Sequence, residues 1–353
     1  MKIALITDTH FGARNDNVNF NEYFYNFYEG LFFPYLQQNN IKHCIHLGDL
    51  MDRRKFVSYR ILKDFRERFI QPFNYLKINL HILVGNHDIY FRNTNDVNSL
   101  QELLGERHDN IHLYPEAQEV DFDGFPILMM PWINPQNEIY SFGMMDETKA
   151  DTMMSHLEVV GFEMHGGHTS ESGFDKEQFK RFDTVFSGHY HKKSDDGQIY
   201  YLGTPYQMTW SDYNCSKGFH VFDTETRELT RIVNPQKIFE KIYYDDTQED
   251  YDGHDVDQYK SKYVKLVVVN KNDLYKFDKF TDKLFKADCH EVKIIEDFTD
   301  LDANTVSDDI VENTQDTMTL LGKYIDDLDV NLDKTKLKGD ISKLYHEAQD
   351  LEL

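Results

Sequence analysis

Along the first ninety residues, apolar positions follow two rhythms in turn. "KIALIT" (2–7), "KHCIHLG" (42–48) and "NLHILVG" (79–85) are short apolar runs of the kind that form buried strands. Between them, Phe20, Phe24, Phe27, Leu31 and Tyr35 recur every three or four residues, as do Ile61, Leu62, Phe65 and Phe69. That spacing predicts two amphipathic helices, the second closing near Pro72. Strand and helix in alternation predict a β-α-β-α-β start, with a parallel sheet and right-handed crossovers.

Strands then become more frequent: "FPILMMPW" (125–132), "DTMMSH" (151–156), "DTVFSGH" (183–189), "QIYYLG" (198–203) and "GFHVFD" (218–223), with a hairpin turn expected in "FDTETREL" (222–229). Two packed sheets flanked by helices accommodate this number, so the expected class is α/β. Near residue 240 the texture changes. An acidic stretch at 245–257 reads as a solvated linker, and a small β-α-β unit follows: strand 262–269, a helix around Leu274, Phe277, Phe280 and Leu284, and strand 291–296. From 308 onward the pattern is helical, with Leu337, Ile341, Leu344, Tyr345, Ala348 and Leu351 forming an apolar stripe. The expected division is a main domain at 1–240, a small α/β cap at 241–300 and C-terminal helices at 301–353.

Composition sets bounds on this picture. The chain has 353 residues, 40% hydrophobic and 14% aromatic, a globular balance with bulk enough for a large core. Its three cysteines, Cys44, Cys215 and Cys289, are far apart and form no CxxC pair, which argues against disulfides or a thiolate zinc site. The apolar stretch before Asp8 is too short for a signal peptide, and no run reaches the ~20 residues of a membrane span. A cytoplasmic protein is expected. The net charge of −24 weighs against a nucleic-acid partner until its distribution is considered. Residues 245–257 hold seven acids and no Lys or Arg, and residues 296–353 hold sixteen acids against five lysines. The segment "RRKFVSYRILKDFRER" (53–68) is basic, and its leading Arg53, Arg54 and Lys55 are candidates for meeting DNA phosphates.

Candidate chemistry gathers where strands end. Asp8 and His10 follow the first strand, Asp49 the second, and Asn86 and His87 the third; His156 closes a later one, and His189 and His191 follow the next. Carboxyl ends of parallel strands share one edge, so these residues are expected to converge on one crevice. Leaving His87 aside, two Asp, one Asn and four His are too many polar groups to bury without partners. A pair of divalent metals resolves the excess, with Asp49 as the bridge. Imidazole and oxygen donors without thiolate suit Mn²⁺, Fe²⁺ or Zn²⁺. His165 and His168 are rivals for the place of His156, but their Gly- and Ser-rich segment reads as a surface loop. His43, His46 and His81 lie within strands and read as core or edge residues.

In chain order, "DTH", "GDLMD", "GNHD", the strand-ending His156 and "GHYH" resemble the calcineurin-like metallophosphoesterases, over roughly residues 1–235. Within them, "SHLEVVGF" (155–162) and "GTPYQMTWSDYNCSKGFHVFD" (203–223) resemble the nuclease subunit of the double-strand-break-repair complex, in its bacterial SbcD and phage recombination-endonuclease branches. The resemblance implies a metallophosphoesterase sandwich with two divalent ions, expected to be Mn²⁺. One would be held by Asp8, His10, Asp49 and His191, and the second by Asp49, Asn86, His156 and His189. The same likeness casts His87 as a catalytic acid and Asp88 as the group orienting its ring. It further implies double-stranded DNA ends as substrate, a DNA-facing cap, and a homodimer within a complex with an SbcC-type SMC-like ATPase. That partner would dock on the C-terminal helices through Leu337, Ile341, Leu344, Tyr345 and Ala348. Some members carry histidine where this chain has Asp52, so a substrate role for that position stays open. The competing readings are a phosphomonoesterase such as a protein phosphatase, although phosphatases show GNHE where this chain has GNHD, and a non-catalytic scaffold.

Overall fold

Burial alternates residue by residue along β1 (Lys2–Ile6). Ile3 and Leu5 face one core, Ala4 and Ile6 another, and all four are buried. A strand apolar on both faces belongs in the middle of a layered structure. The computed structural model describes residues 1–105, 108–165 and 168–296, together with Ile325, Lys334 and Lys336. Beside β1 run β2 (His43–His46), β3 (Asn79–Leu83) and β4 (Ile111–Tyr114), all parallel. A second sheet is built on β5 (Gln118–Phe122), β6 (Phe125–Met130) and β7 (Thr152–His156). A two-stranded ribbon, β8 (Glu163–His165) with β9 (His168–Thr169), precedes the second sheet's remaining strands, β10 (Thr184–Gly188), β11 (Ser194–Asp195) and β12 (Ile199–Tyr201). The chain then returns to the first sheet through β13 (Lys217–Asp223), antiparallel to β1, and β14 (Leu229–Asn234). The orders are β14-β13-β1-β2-β3-β4 and β11-β12-β10-β7-β6-β5.

Ile3, Leu5, Ile45 and Leu83 of the first sheet meet Ile127, Met129, Met154 and Phe186 of the second in the central core. Two helices, α1 (residues 18–38) and α2 (residues 59–76), cover the outer face of the first sheet. The side chains of Asn17 and Ser58 cap their first turns, accepting from Phe20 N and Ile61 N. The second helix does not close near Pro72 but continues to Leu76. Both Pro34 and Pro72 directly follow a π-helical turn, where the regular bonding has already shifted, so neither proline breaks a standing ladder. Short β4 and the polar edge strand β5 went unforeseen because neither carries a long apolar run.

The acidic stretch at 245–257 is not a solvated linker. Most of its acids are exposed, but Asp245 and Asp246 are half-buried, Tyr251 is buried and stacks on Tyr244 at 4.4 Å, and Tyr259 just beyond it is buried too. It links β15 (Phe239–Asp245) to β16 (Tyr263–Asn270), which with β17 (Glu291–Ile295) form a parallel three-stranded sheet covered by α3 (Leu274–Phe285). Position 240 therefore lies inside a strand. Phe239 and Tyr263 pack on Phe20, tying this sheet to α1. The stripe Leu337, Ile341, Leu344, Tyr345 and Ala348 lies outside the described residues.

His43, His81 and His112 stand side by side on the inner face of the first sheet, away from the strands' carboxyl ends. His81 stacks on His112 at 4.6 Å and shares a 2.7 Å hydrogen bond with the Tyr114 hydroxyl. Burial, then the neighbouring His112 and His43, push His81 down to about 3. Because the folded pKa lies below the unfolded one, stability is full above pH ~6.5 and falls as the pH drops toward 3. Replacing His81 by Phe should therefore raise the melting temperature more at pH 5 than at pH 8. The pH-dependent part is about 2 kcal/mol at pH 5. Equal changes at the two pH values would refute it.

Candidate metal centre

The turns that follow β1, β2, β3, β7 and β10 are joined to one another by main-chain and carboxylate hydrogen bonds. Asp8 N donates to Gly48 O at 3.1 Å and His10 N to Asp49 O at 3.2 Å, so the first two turns stay paired beyond their strands. Asp8 accepts from His189 N at 3.1 Å through both carboxylate oxygens, and Asp49 Oδ1 accepts from His87 N at 2.7 Å. Asp8, His10, Asp49 and His189 all adopt positive φ, at 50°, 44°, 55° and 86°. Non-glycine residues in that region cost ~1–3 kcal/mol each and cluster where function demands a fixed direction. Glycines supply the clearance. A Cβ on Gly85 would lie 2.2 Å from Asp49 Oδ1, and one on Gly188 would lie 2.1 Å from Thr7 Oγ1 and 2.9 Å from His156 Nδ1.

Asp8, His10 and His191 converge as one group of donor atoms, and Asp49, His156 and His189 as another, each within 4.8 Å. Asp49 stands between them, its Oδ2 3.8 Å from His10 Nε2 and 3.4 Å from His156 Nε2. Asn86 Oδ1 completes the second group, 2.9 Å from His156 Nε2 and 3.0 Å from His189 Nδ1. Asp8, Asp49, Asn86, His10 and His156 are all buried. The predicted seven thus come together. His87 adjoins them, its ring 4.8 Å from that of His10, and its donor atom also groups with His10 and Asp49.

The donor chemistry calls for cations. The His156 Nδ1–H donates to Leu47 O at 2.7 Å, which leaves Nε2 with a lone pair aimed at the lone pairs of Asn86 Oδ1. His10 Nε2 and His191 Nε2 likewise face each other at 3.1 Å. Two acceptors at such distances repel unless a proton or a metal lies between them. Ionisation follows the same logic. Burial disfavours charge on His156, but the Asp49 carboxylate outweighs it and pushes the ring up to about 9. His10 also reaches about 9, with burial opposed by Asp52 and then Asp49. Burial drives His189 down to about 3 and His191 well below its usual range, so both are neutral and free to ligate. Asp49 stays ionised despite burial because His156 and His87 hold it well below the usual carboxylate range. These residues fit a pair of divalent cations.

One expectation fails. Asp88 does not orient the His87 ring. Its buried carboxylate accepts from the main-chain N–H of Gly85 at 2.9 Å, Leu50 at 3.0 Å and Met51 at 3.1 Å, locking the Asp49 turn onto the Asn86 turn. The ring is held by the Asp52 carbonyl, 2.7 Å from Nδ1. Asp52 does further work unforeseen from the sequence, with its carboxylate Oδ1 3.4 Å from His10 Nδ1. Also unforeseen are the Trp132 ring, 5.2 Å from that of His189, and Lys217. Buried Lys217 pairs with Asp212 and donates to His191 O at 2.9 Å, fixing the turn that carries His191. A lysine inside the apolar run "KGFHVFD" was the available signal.

His46 is fully engaged, accepting from Gly48 N and bonded to Thr9, and stays outside the cluster as expected. Beside the cluster, Arg54 is half-buried near Arg92 and Asp49, and its Nη1 has no hydrogen-bond partner. Arg53 is 3.5 Å from Asp16 and lies over Phe56, and Lys55 lies over Tyr90. Phe56, Tyr59 and Phe91 stand exposed along the same rim.

The calcineurin-like phosphoesterase family model matches residues 1–193. Exonuclease subunit 1 of Enterobacteria phage T4 is 30% identical over 89% of this chain and 90% of its own length. The SbcD component of the SbcCD nuclease from Staphylococcus epidermidis is 26% identical over 37% of this chain and 35% of its own. Among solved structures, an archaeal phosphodiesterase covers 66% of this chain and 100% of its own at 17% identity and a TM-score of 0.35. No helix among the described residues is long and apolar enough to cross a membrane.

Proposed function

The chain belongs to the calcineurin-like phosphoesterases and is a metal-dependent phosphodiesterase, and from that premise we propose that it is a Mn²⁺-dependent nuclease acting on the ends of double-stranded DNA. The observation that carries the reading is the position of Asp49, whose single oxygen Oδ2 lies between two groups of donors. Asp8, His10, Asp49 and His191 would hold one cation, and Asp49, Asn86, His156 and His189 the other. Bound there, the cations supply Lewis acidity and a water ionised at neutral pH. The protein's own part is positioning and proton transfer. With Nδ1–H committed to the Asp52 carbonyl, His87 Nε2 is the atom that exchanges a proton with the leaving oxygen. Burial lowers the affinity of His87 for a proton, and an arriving phosphodiester anion raises it again. Asp88 acts as a positioning residue, through the main chain. Arg54 offers its unpartnered Nη1 to the phosphate, while Arg53, Lys55 and the exposed rings of Phe56, Tyr59 and Phe91 suit a strand's backbone and bases.

Purified full-length protein with Mn²⁺ should degrade end-labelled linear duplex DNA and lose that activity in EDTA. Phosphate release from a phosphopeptide with the DNA left intact would instead establish a phosphomonoesterase. Both named relatives are subunits of nucleases, which supports action within a complex; the complex proposed is one with an SMC-like ATPase, serving DNA recombination and repair in the cytoplasm. Deleting residues 330–353, which include the apolar stripe, should eliminate ATPase association in a pull-down and spare nuclease activity. Undiminished association would assign the stripe to its own domain.

A further inference from the structure

At the open edge of the sandwich, where β13 and β14 face β10 and β12, the space between the sheets is lined as a core should not be. Phe222 and Leu229 continue the inner face, but His220 sits two residues before Phe222 on that face, and Arg231 is its direct cross-strand partner. Together with Lys193 and Arg227 they line a cleft of about 260 Å³, completed by Thr184, Phe186, Tyr200 and Leu229. No carboxylate is among its lining residues, in a chain of net charge −24.

Several of these groups lack compensation. His220 is buried to 1% exposure, and neither ring nitrogen has a hydrogen-bond partner. A neutral imidazole carries one N–H, and burying it unmatched is unfavourable. Burial, then Arg231 and Lys193, push His220 down to about 3, so the ring is neutral and close to both cations. Arg231 donates to Ser216 O, its Nε has no acceptor, and it makes no ion pair among the described residues. Arg227 is drawn outward to Asp151 and Asp183, and Lys193 is 2.9 Å from Asp195. The cleft thus keeps one cation, Arg231, without a carboxylate, and unused donors on Arg231 and His220, beside the apolar faces of Phe186, Tyr200 and Leu229.

We propose that this cleft is a second, non-catalytic site for a phosphate-bearing anion, with Lys193, Arg231 and His220 holding the phosphate and Phe186 and Tyr200 flanking a group the size of a mononucleotide. It is separate from the metal centre. Thr184, on the cleft's far side, is roughly 16 Å at strand rise from His189, which follows β10, and Lys193, on its near side, comes two residues after His191. Nothing in the assignment depends on which phosphodiester the metal centre cleaves. If that reading is also correct, the ligand matches the mononucleotide a nuclease releases, and occupancy reports product.

The test is calorimetric titration of deoxyadenosine 5′-monophosphate, inorganic phosphate and deoxyadenosine. Each is added to the full chain as purified and to its Asp49→Asn variant, which disables the metal centre. One equivalent of the nucleotide should bind with the same affinity in both proteins. Combined Lys193→Gln and Arg231→Gln substitutions should weaken it by about tenfold or more. His220→Phe, which restores an apolar inner face and so preserves the fold, should weaken it as well. Inorganic phosphate binding at this equivalent supports the site, whether it equals the nucleotide or trails it through loss of the aromatic contacts. Absence of saturable binding by nucleotide and phosphate, unchanged binding in the folded Lys193/Arg231 variant, loss of the equivalent in Asp49→Asn, or deoxyadenosine binding as tightly as its monophosphate would each overturn it.

Discussion

Glutamine at position 87 is expected to lower turnover on duplex DNA by ~10²–10⁴-fold, the range for a lost general acid, and to leave metal content unchanged. The expectation rests on what each nitrogen of the ring does. Nδ1 is committed to the Asp52 carbonyl, and the main-chain N–H of residue 87, which holds Asp49 Oδ1, survives any side-chain change. The Asp49 turn therefore keeps its shape while the proposed proton donor disappears. The deficit should also depend on the leaving group. A deoxyribose alkoxide needs a proton as it departs, whereas a p-nitrophenolate does not. Hydrolysis of bis(p-nitrophenyl) phosphate should accordingly suffer much less than DNA cleavage. Loss of bound metal in the same variant would place His87 among the ligands, with His10 and Asp49, the one other grouping its donor atom permits. Equal deficits on both substrates, with metal retained, would remove the acid role.

The parts of this arrangement that the sequence made legible share one property: each is set by local chain direction. A run such as "LITDTH" shows both that a strand ends and which residues stand at its end, and parallel order alone carries five such ends to one edge. What stayed hidden depends on which groups meet across the fold. Asp88 looks like the natural orienter of its neighbour His87, yet three main-chain N–H groups compete for its carboxylate and win. Asp52 reaches His10 only because the first two turns pair beyond their strands. The acidic stretch misled for a related reason. Seven acids outweigh a single tyrosine in composition, but Tyr251, with Tyr259 just beyond the stretch, decides where the segment lies. The end of the second helix was misjudged because a π turn leaves no sequence signal comparable to the proline that follows it.

Asparagine at position 49 is expected to abolish activity, by more than about 10³-fold, and to remove most of the bound metal from a chain that remains folded. The substitution is isosteric, so its effect comes from what the amide presents. Asp49 Oδ1 already accepts from His87 N at 2.7 Å, and an asparagine must use its only oxygen to keep that bond. Its NH₂ then falls where Oδ2 stood, between His10 Nε2 and His156 Nε2. An amide nitrogen in that place donates hydrogens toward both groups and cannot ligate a cation. The new NH₂ can donate to a metal-free ring whose Nε2 is unprotonated, in the place where the carboxylate accepted from a protonated one. Removing one of two mutually repelling buried carboxylates also relieves Asp8. Melting of the variant in EDTA should thus match or exceed that of the unsubstituted chain, while metal analysis finds the two groups depleted together. Depletion of one cation with the other retained at full occupancy would show that Asp49 serves a single group. Two separate sites would then replace the shared one proposed above.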